Sequence, residues 1–474
     1  MLSWFILLPL AALLLANSPV PRWLRRLSLP LAAGLALAQT AAVAGQPEVF
    51  RAGTVRWDAV LGLHLAADRL AWVMLLAIAL ATFVAVLVGD AMVRGERERQ
   101  HFGSVMLVAL TGMNGTVLQT DVFSLYVFLE AVSLASFVLI AFRRDRGGLE
   151  GAFTYLLMSA VATLLMLSAV GLLVLTAGGT SFQTVSDALA RAPGGATPRL
   201  AMTLFVCGLL IKAGVVPFHG WVPGAYAAAP APVSVFLAGI VTKVAGVYGL
   251  IRLVVCVFPP RAAMNEALLL AGAASIVVGA LAALGQTDMK RLLAYSSVSQ
   301  VGYILLGLGG GTKLAIAGAV LHLFNHMLFK GLLFVNAAAV EEHCGHTDLH
   351  RLGRLAGRMP VTAATSVIGA MSAAGVPPFS GFWSKLVIVV ALWQSGHVGY
   401  AVLAAGFSLV TLGYLLDLQR RTFFGPQAEP AAKSAEGSPA VAAAAVLLAL
   451  LTTAAGVLFP WVFDSFLFPL GGFR

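Results

Sequence analysis

Fourteen stretches of about twenty mostly apolar residues recur along the chain, and no other feature limits its fold as strongly. A run of that length crosses the ~30 Å hydrocarbon core of a bilayer as a helix. The stretches fall near 1–17, 27–45, 69–93, 101–119, 121–142, 152–178, 199–220, 231–257, 264–285, 293–310, 313–340, 361–394, 400–422 and 440–465. They predict an all-α polytopic membrane protein, one transmembrane domain over 1–474. Apolar residues make up 59% of the chain and charged residues 11%, against about 25% charged in soluble domains. That balance excludes a soluble enzyme, a nucleic-acid binder and a secreted disulfide scaffold. The first stretch has no basic start and no A-x-A cleavage site, and Pro19 and Pro21 follow it; it reads as a helix rather than a signal peptide.

The net charge of +10 is spread over short loops. When Arg199, Arg252, Lys313, Arg420 and Arg421 near span ends are counted with the adjoining loops, 17 of the 30 Lys and Arg residues lie on the side of the odd-numbered loops, and 8 on the side of the even loops and termini. Basic loops stay in the cytoplasm. The expected protein is therefore a multi-pass protein of the cell (inner) membrane with both termini outside, in the periplasm of a Gram-negative cell.

Several ionisable residues fall inside spans, where a charge at the bilayer centre costs about 2.5–3.5 kcal/mol and points to function. Glu130 lies mid-span in the fifth stretch, Lys212 in the seventh, Lys243 in the eighth, Lys330 in the eleventh and Lys385 in the twelfth. Lys290, Lys313 and Lys433 are assigned to loops and caps. His322, His326 and Lys330 follow at i, i+4 and i+8, which places them on one helix face. Asn325 borders that stripe. Burial pulls Lys and Glu toward neutrality while an opposite charge restores them, and imidazole titrates near neutral pH. Together these groups form a candidate buried proton path. Asp417 within a turn of Arg420 and Arg421 reads as an interfacial ion pair. Tyr295, Ser296, Ser297, Ser299 and Gln300 could hold water between titratable groups, and the serines could equally pack helices.

Two spans are interrupted. The seventh reads KAGVVPFHGWVP, with Pro217 inside and Pro223 closing it; the twelfth reads AAGVPPFSGFWSK, with Pro377 and Pro378 inside. Proline removes a backbone donor and breaks helices, and irregular backbone at membrane depth is tolerated where it lines a cavity or is buried in protein. Paired interruptions point to inverted repeats. The expected organisation is N-terminal helices over 1–100, two inverted five-helix repeats over 101–257 and 264–425, and a linker with the last helix over 426–474.

The same residues carry a family resemblance. DVFSLYVFLEAVSLASFVLI (121–140), KAGVVPFHGWVPGAYAAAPAPVSVFLAGIVTKVAGVYGLIRL (212–253), GQTDMKRLLAYSSVSQVGYILLG (285–307), HLFNHMLFKGLLF (322–334), GVPPFSGFWSK (375–385) and RRTFFG (420–425) occur in that order. The chain resembles the antiporter-like membrane subunits shared by respiratory complex I (NADH:quinone oxidoreductase), membrane-bound nickel–iron hydrogenases and Mrp-type sodium/proton antiporters. The resemblance implies a proton-translocating subunit whose polar axis falls on Glu130, Lys212, Lys243, His322, His326, Lys330 and Lys385, with Lys212 pairing with Glu130. It implies other hydrophobic membrane subunits and a redox peripheral arm as partners, protons with or without Na⁺ as cargo, and a place in an oxidoreductase complex without redox catalysis in this chain. The alternative is a subunit of a Mrp-type Na⁺/H⁺ antiporter. Two departures stand out: Gly224 replaces an acid frequent in the family after the WxP, and Lys385 stands where some complex I subunits carry Glu.

No cofactor is expected. The three cysteines, Cys207, Cys256 and Cys344, are far apart, and iron–sulfur clusters usually need four thiolates. No Gly-rich nucleotide motif appears. EEHCGHTDLH (341–350) gathers His343, Cys344, His346, Asp348 and His350, residue types that zinc uses. The resemblance makes this a plain connecting loop, and no metal is assigned.

Overall fold

The computed structural model describes residues 2–18, 27–46, 56–60, 62–191, 195–426 and 436–462. The chain begins with α1 (Trp4–Asn17) and α2 (Ser28–Ala44), a hairpin of β1 (Arg56–Val60) and β2 (Leu63–Ala67), and then α3 (Arg69–Met92), α4 (Glu96–Leu118), α5 (Val122–Ile140) and α6 (Arg146–Ala177). A short α7 (Phe182–Arg191) precedes α8 (Ala196–Ala213) and α9 (Trp221–Ala228). The helix α10 (Ala231–Val257) is largely π-wound. It is followed by α11 (Ala262–Leu284), α12 (Met289–Gly309), α13 (Lys313–Cys344), α14 (Pro360–Ala374), α15 (Ser380–Gln394), α16 (Val398–Phe424) and α17 (Pro439–Val457). Eleven spans among the described residues are long and apolar enough to cross a membrane; α1, α2, α14 and α15 are shorter apolar helices.

Local sequence sets many of the boundaries. The side chains of Asp68, Asp121, Asp145 and Asp288 accept from the backbone N–H groups of Ala71, Ser124, Gly148 and Arg291. Thr312 does the same for Ala315. Each supplies an acceptor that a helix N-terminus otherwise lacks. The last span extends to Val457, with a short turn at Phe459–Val462. Residues 463–465 of the expected span and most of the linker 426–439 lie outside the described residues.

Three sequence expectations need correction here. The protein is not strictly all-α, because Arg56–Val60 and Leu63–Ala67 pair as antiparallel strands with Val60 opposite Leu63. Gly62, at φ 80°, turns the chain there, a conformation that costs glycine little. Pro223 does not close the seventh span. It sits in the first turn of α9, where a missing backbone donor is harmless, so the span continues to Ala228. The eleventh span continues to Cys344, so Glu341 and His343 are helical rather than in a loop. The amphipathic α7, which buries Val185, Ala188 and Leu189, had no counterpart in the hydropathy reading because ten residues cannot cross a bilayer.

The centre of the bundle is α12 and α13, each 94% buried over its most apolar window, whereas α6 and α16 are 33% buried. Close approach of α11 and α12 depends on glycine. A Cβ on Gly302 would lie 2.6 Å from the Gly272 carbonyl oxygen, the small-residue contact typical of membrane helices. At the N-terminal end, Gln39 and Asn114 exchange two hydrogen bonds at 2.9 and 2.8 Å. Gln39 also donates to Leu75 O and Asn114 to Phe5 O. One amide pair thus joins α1 to α4 in an apolar interior, where unmet donors are costly.

Candidate functional site

The two interruptions are built alike. Helix α8 ends at Gly214 (φ 67°) and α14 at Gly375 (φ 86°), the left-handed cap that glycine accommodates best. Val216–Pro217 and Pro377–Pro378 are cis. Each break places a lysine at the C-terminal end of a half-helix, where the dipole favours a cation. Lys212 is in the last turn of α8. Lys385, on α15, reaches back to donate to Ala373 O at 2.9 Å and Ala374 O at 3.3 Å. Its ammonium also lies 4.5 Å from the Tyr303 ring centroid, a cation–π geometry.

Lys212 Nζ is 2.9 Å from Glu130 Oε1 and donates to Ser133 Oγ at 2.7 Å and Ser159 Oγ at 3.1 Å. The lysine side chain is 2% exposed and that of Glu130 24%. The expected pair is present, with Glu130 at mid-span of α5 and the more exposed of the two partners. It lies on the flank of α5, because α5 and α6 leave one face uncovered.

Lys243 is fully buried and opens the second of two consecutive π-helical segments, Leu237–Val241 and Lys243–Tyr248. It donates to Ala238 O at 2.6 Å and Thr242 Oγ1 at 3.0 Å. Thr242 is 2.9 Å from the Tyr226 hydroxyl, on α9 beyond the first break. A hydroxyl chain therefore runs from the broken helix to Lys243. The sequence reading missed Tyr226, Thr242 and the π-winding; π-bulges concentrate at functional sites, but hydropathy has no signal for them.

His322, His326 and Lys330 are all completely buried on α13. The two imidazole centroids are 6.5 Å apart. His322 Nδ1 lies 2.8 Å from Ser384 Oγ, next to Lys385, and Lys330 donates to Ser296 Oγ and to Leu293 O. His326 stands within electrostatic range of Lys243 and Lys330, and Lys330 within range of Lys243 and Lys385. Both His326 ring nitrogens and the whole Gln300 amide are buried without a hydrogen-bond partner among the described residues. Ser299 instead donates to Ile276 O at 3.2 Å, and Asn325 to Ser380 O at 2.8 Å, so these two serve packing. The sequence-derived residues thus fall into two clusters, Glu130–Lys212 and Lys243–His326–Lys330–His322–Lys385.

Two charged groups that the sequence reading placed in loops are inside the protein. Lys290 is 3% exposed, donates to Ala229 O at 2.9 Å, and lies 3.0 Å from Glu341 Oε2. Arg143 meets the other oxygen of Glu341 at 3.1 Å. Arg252 is 8% exposed in α10 and forms a two-pronged ion pair with Asp68, one contact at 2.9 Å. Burial disfavours the Asp68 carboxylate, yet the Arg252 guanidinium outweighs it and holds the carboxyl below the usual range. Periodicity could not find these pairs, since the partners lie 51 and 184 residues apart. The interfacial pair Arg421–Asp417 forms at 2.7 Å. Among the residues of 341–350, His343 is buried in α13 and Asp348 forms a backbone bridge with Asp288.

Comparison with known proteins agrees with this architecture. Residues 119–412 match the family described as NADH:quinone oxidoreductase/Mrp antiporter, TM. The chain is 34% identical to NADH-quinone oxidoreductase subunit N of Desulforudis audaxviator, over 88% of this chain and 86% of that protein. It is 31% identical to a Na(+)/H(+) antiporter subunit of Alkalihalophilus pseudofirmus, over 78% of this chain and 75% of that protein. A chain of the Mrp complex from Dietzia sp. DQ12-45-1b shares its fold with a TM-score of 0.90 at 24% identity, covering 99% of this chain and 97% of that one.

Proposed function

The chain belongs to the NADH:quinone oxidoreductase/Mrp antiporter family of multi-pass membrane subunits, and from that premise we propose that it translocates protons along its interior. The observation that carries this reading is the run of ionisable groups at the two broken helices. The proposed path links the Glu130–Lys212 pair to Lys243, then His326 and Lys330, then His322 and Lys385. The Tyr226–Thr242 chain, 2.9 Å between hydroxyls, supplies a way toward Lys243 from α9. The ammonium groups of Lys212 and Lys385 sit at half-helix C-termini that stabilise the charged form. Moving Glu130 away from Lys212 would favour proton release from that lysine.

The proposal includes the finer architecture. With α8–α9 and α14–α15 each counted as one broken crossing, the bundle makes fourteen crossings. Spans 101–257 and 264–425 are the two inverted repeats, flanked by helices over 1–100 and by 426–474. The basic odd-numbered loops face the cytoplasm and both termini lie outside. The partners are further hydrophobic membrane subunits and a redox arm of complex I or hydrogenase type, which would drive the transfer. The relative named as an Na(+)/H(+) antiporter component supports a second reading, exchange of Na⁺ for H⁺ without redox chemistry.

Affinity purification of the tagged chain from native membranes, followed by proton-uptake assays in proteoliposomes, tests both. Co-purified iron–sulfur, flavin or nickel–iron subunits support the redox-driven reading. Purely hydrophobic partners with Na⁺-dependent proton exchange replace it with the antiporter. Proton movement unaffected by Lys212→Ala and by Lys385→Met overturns the path itself.

A further inference from the structure

A cleft of about 1540 Å³ opens where the ends of α3, α5 and α9–α10 meet the starts of α4 and α6. Its rim carries Arg94, Arg97, His101, Arg143 and Arg144, against the single carboxylate of Glu98. Arg143 is engaged by Glu341. Arg94, Arg97 and Arg144 have no acidic partner among the described residues. Below the rim the walls turn apolar, with Val105 on α4, Val138 on α5, and Phe153 and Leu156 on α6. Val138, Phe153 and Leu156 are 45%, 59% and 41% exposed.

Depth and charge together identify the occupant. Helix α6 starts at Arg146, so Leu156 lies about 15 Å below that start at 1.5 Å per residue, a distance that crosses the polar headgroup region and enters the outer part of the ~30 Å hydrocarbon core. The cleft is also larger than the ~300–1,000 Å³ typical of small-molecule sites. A charged mouth over an apolar slot at the membrane interface has the form of a phospholipid, with its headgroup at the arginines and the upper part of its chains against α4, α5 and α6. Three guanidiniums without carboxylates favour a net negative headgroup over a zwitterionic one, and guanidinium binds phosphate bidentately. We propose that this cleft is a binding site for one anionic phospholipid of the basic-side leaflet. The proposal is independent of the proton path.

Native mass spectrometry of the purified complex in mixed phosphatidylglycerol and phosphatidylcholine micelles tests it. The expected result is retention of phosphatidylglycerol over phosphatidylcholine, falling roughly fivefold for each arginine removed in Arg94→Gln, Arg97→Gln and Arg144→Gln. The Arg→Lys versions should retain most of the binding. An Arg146→Gln, Arg191→Gln, Arg199→Gln variant, with the same change of net charge outside the cleft, should bind as the wild type does. Phe153→Ser with Leu156→Ser should weaken retention while leaving the rim intact. Equal retention by wild type and the Arg94/Arg97/Arg144 variant overturns the site, as does equal retention of both lipids. Displacement of the lipid by inorganic phosphate alone would reduce the site to a phosphate pocket and overturn the lipid assignment. A photo-crosslinker at position 153 that captures a protein subunit instead of lipid would make the cleft a protein interface and also overturn the proposal.

Discussion

Lys212 and Glu130 touch at 2.9 Å, yet one is enclosed and the other stands at the margin, 2% against 24% exposed. The two members of this ion pair are therefore unequal. Removing the carboxylate leaves an enclosed ammonium held only by Ser133 and Ser159, whereas removing the lysine leaves an unpaired carboxylate at mid-span that the protein only partly encloses. Breaking one partner of a buried pair costs about 3–5 kcal/mol. Glu130→Gln should lie toward the upper end of that range and Lys212→Met toward its lower end, while both abolish proton movement. Thermal unfolding in detergent alongside proton uptake decides this, and equal stability losses would count against the asymmetry.

Lys385→Met removes the donor to Ala373 O and Ala374 O and the cation above Tyr303. Half-helix α14 ends at Gly375 regardless, so the subunit should still assemble. Proton transfer should fall at least tenfold. A variant that no longer enters its complex would reveal Lys385 as a structural cap instead.

His322→Gln keeps a polar group near Ser384 but removes a titratable one. Translocation should slow, and its pH profile should change shape because one titratable group is gone. Ser384→Ala removes only the 2.8 Å contact that orients the ring, so it should cause a smaller loss and keep the wild-type pH profile. Identical pH profiles for the wild type and His322→Gln would exclude a relay at this position.

The Asp68–Arg252 pair gives a pH effect of defined sign. Because Arg252 lowers the folded-state pKa of Asp68, the pair's contribution is complete above the unfolded value of about 3.9. It is lost as pH falls through the lower folded value. Unfolding temperatures measured from pH 6 downward should therefore show a drop at the acid end in the wild type that is shallower in Asp68→Asn. The variant should also be less stable at neutral pH, because it leaves Arg252 enclosed. Parallel curves would remove Asp68 from the acid response.

Gly302→Leu should separate α11 from α12, since a Cβ there already comes within 2.6 Å of the Gly272 carbonyl oxygen. Overpacking typically costs about 1–3 kcal/mol, and a side chain set against backbone should lie at the upper end. Reduced yield of folded protein on size-exclusion chromatography is the readout; wild-type yield and unfolding temperature would show that the interface can yield.

Length and hydropathy alone determined that this chain crosses a membrane many times, and roughly where, because a lipid core demands about twenty apolar residues per crossing wherever they occur. The same logic made Glu130, Lys212, Lys243, His322, His326, Lys330 and Lys385 conspicuous, since each breaks an apolar run. Pro217, Pro377 and Pro378 marked the interruptions because proline cannot complete a helix. Only the tertiary structure decided how these groups meet. Glu130 is marginal because of what α5 and α6 leave uncovered. Lys385 finds its acceptors across a break. Lys290 and Arg252 are enclosed by helices distant in sequence, and the π-winding around Lys243 leaves no mark on hydropathy. An apolar run reports its solvent, whereas the partner of a charge is fixed by packing between segments that no local pattern relates.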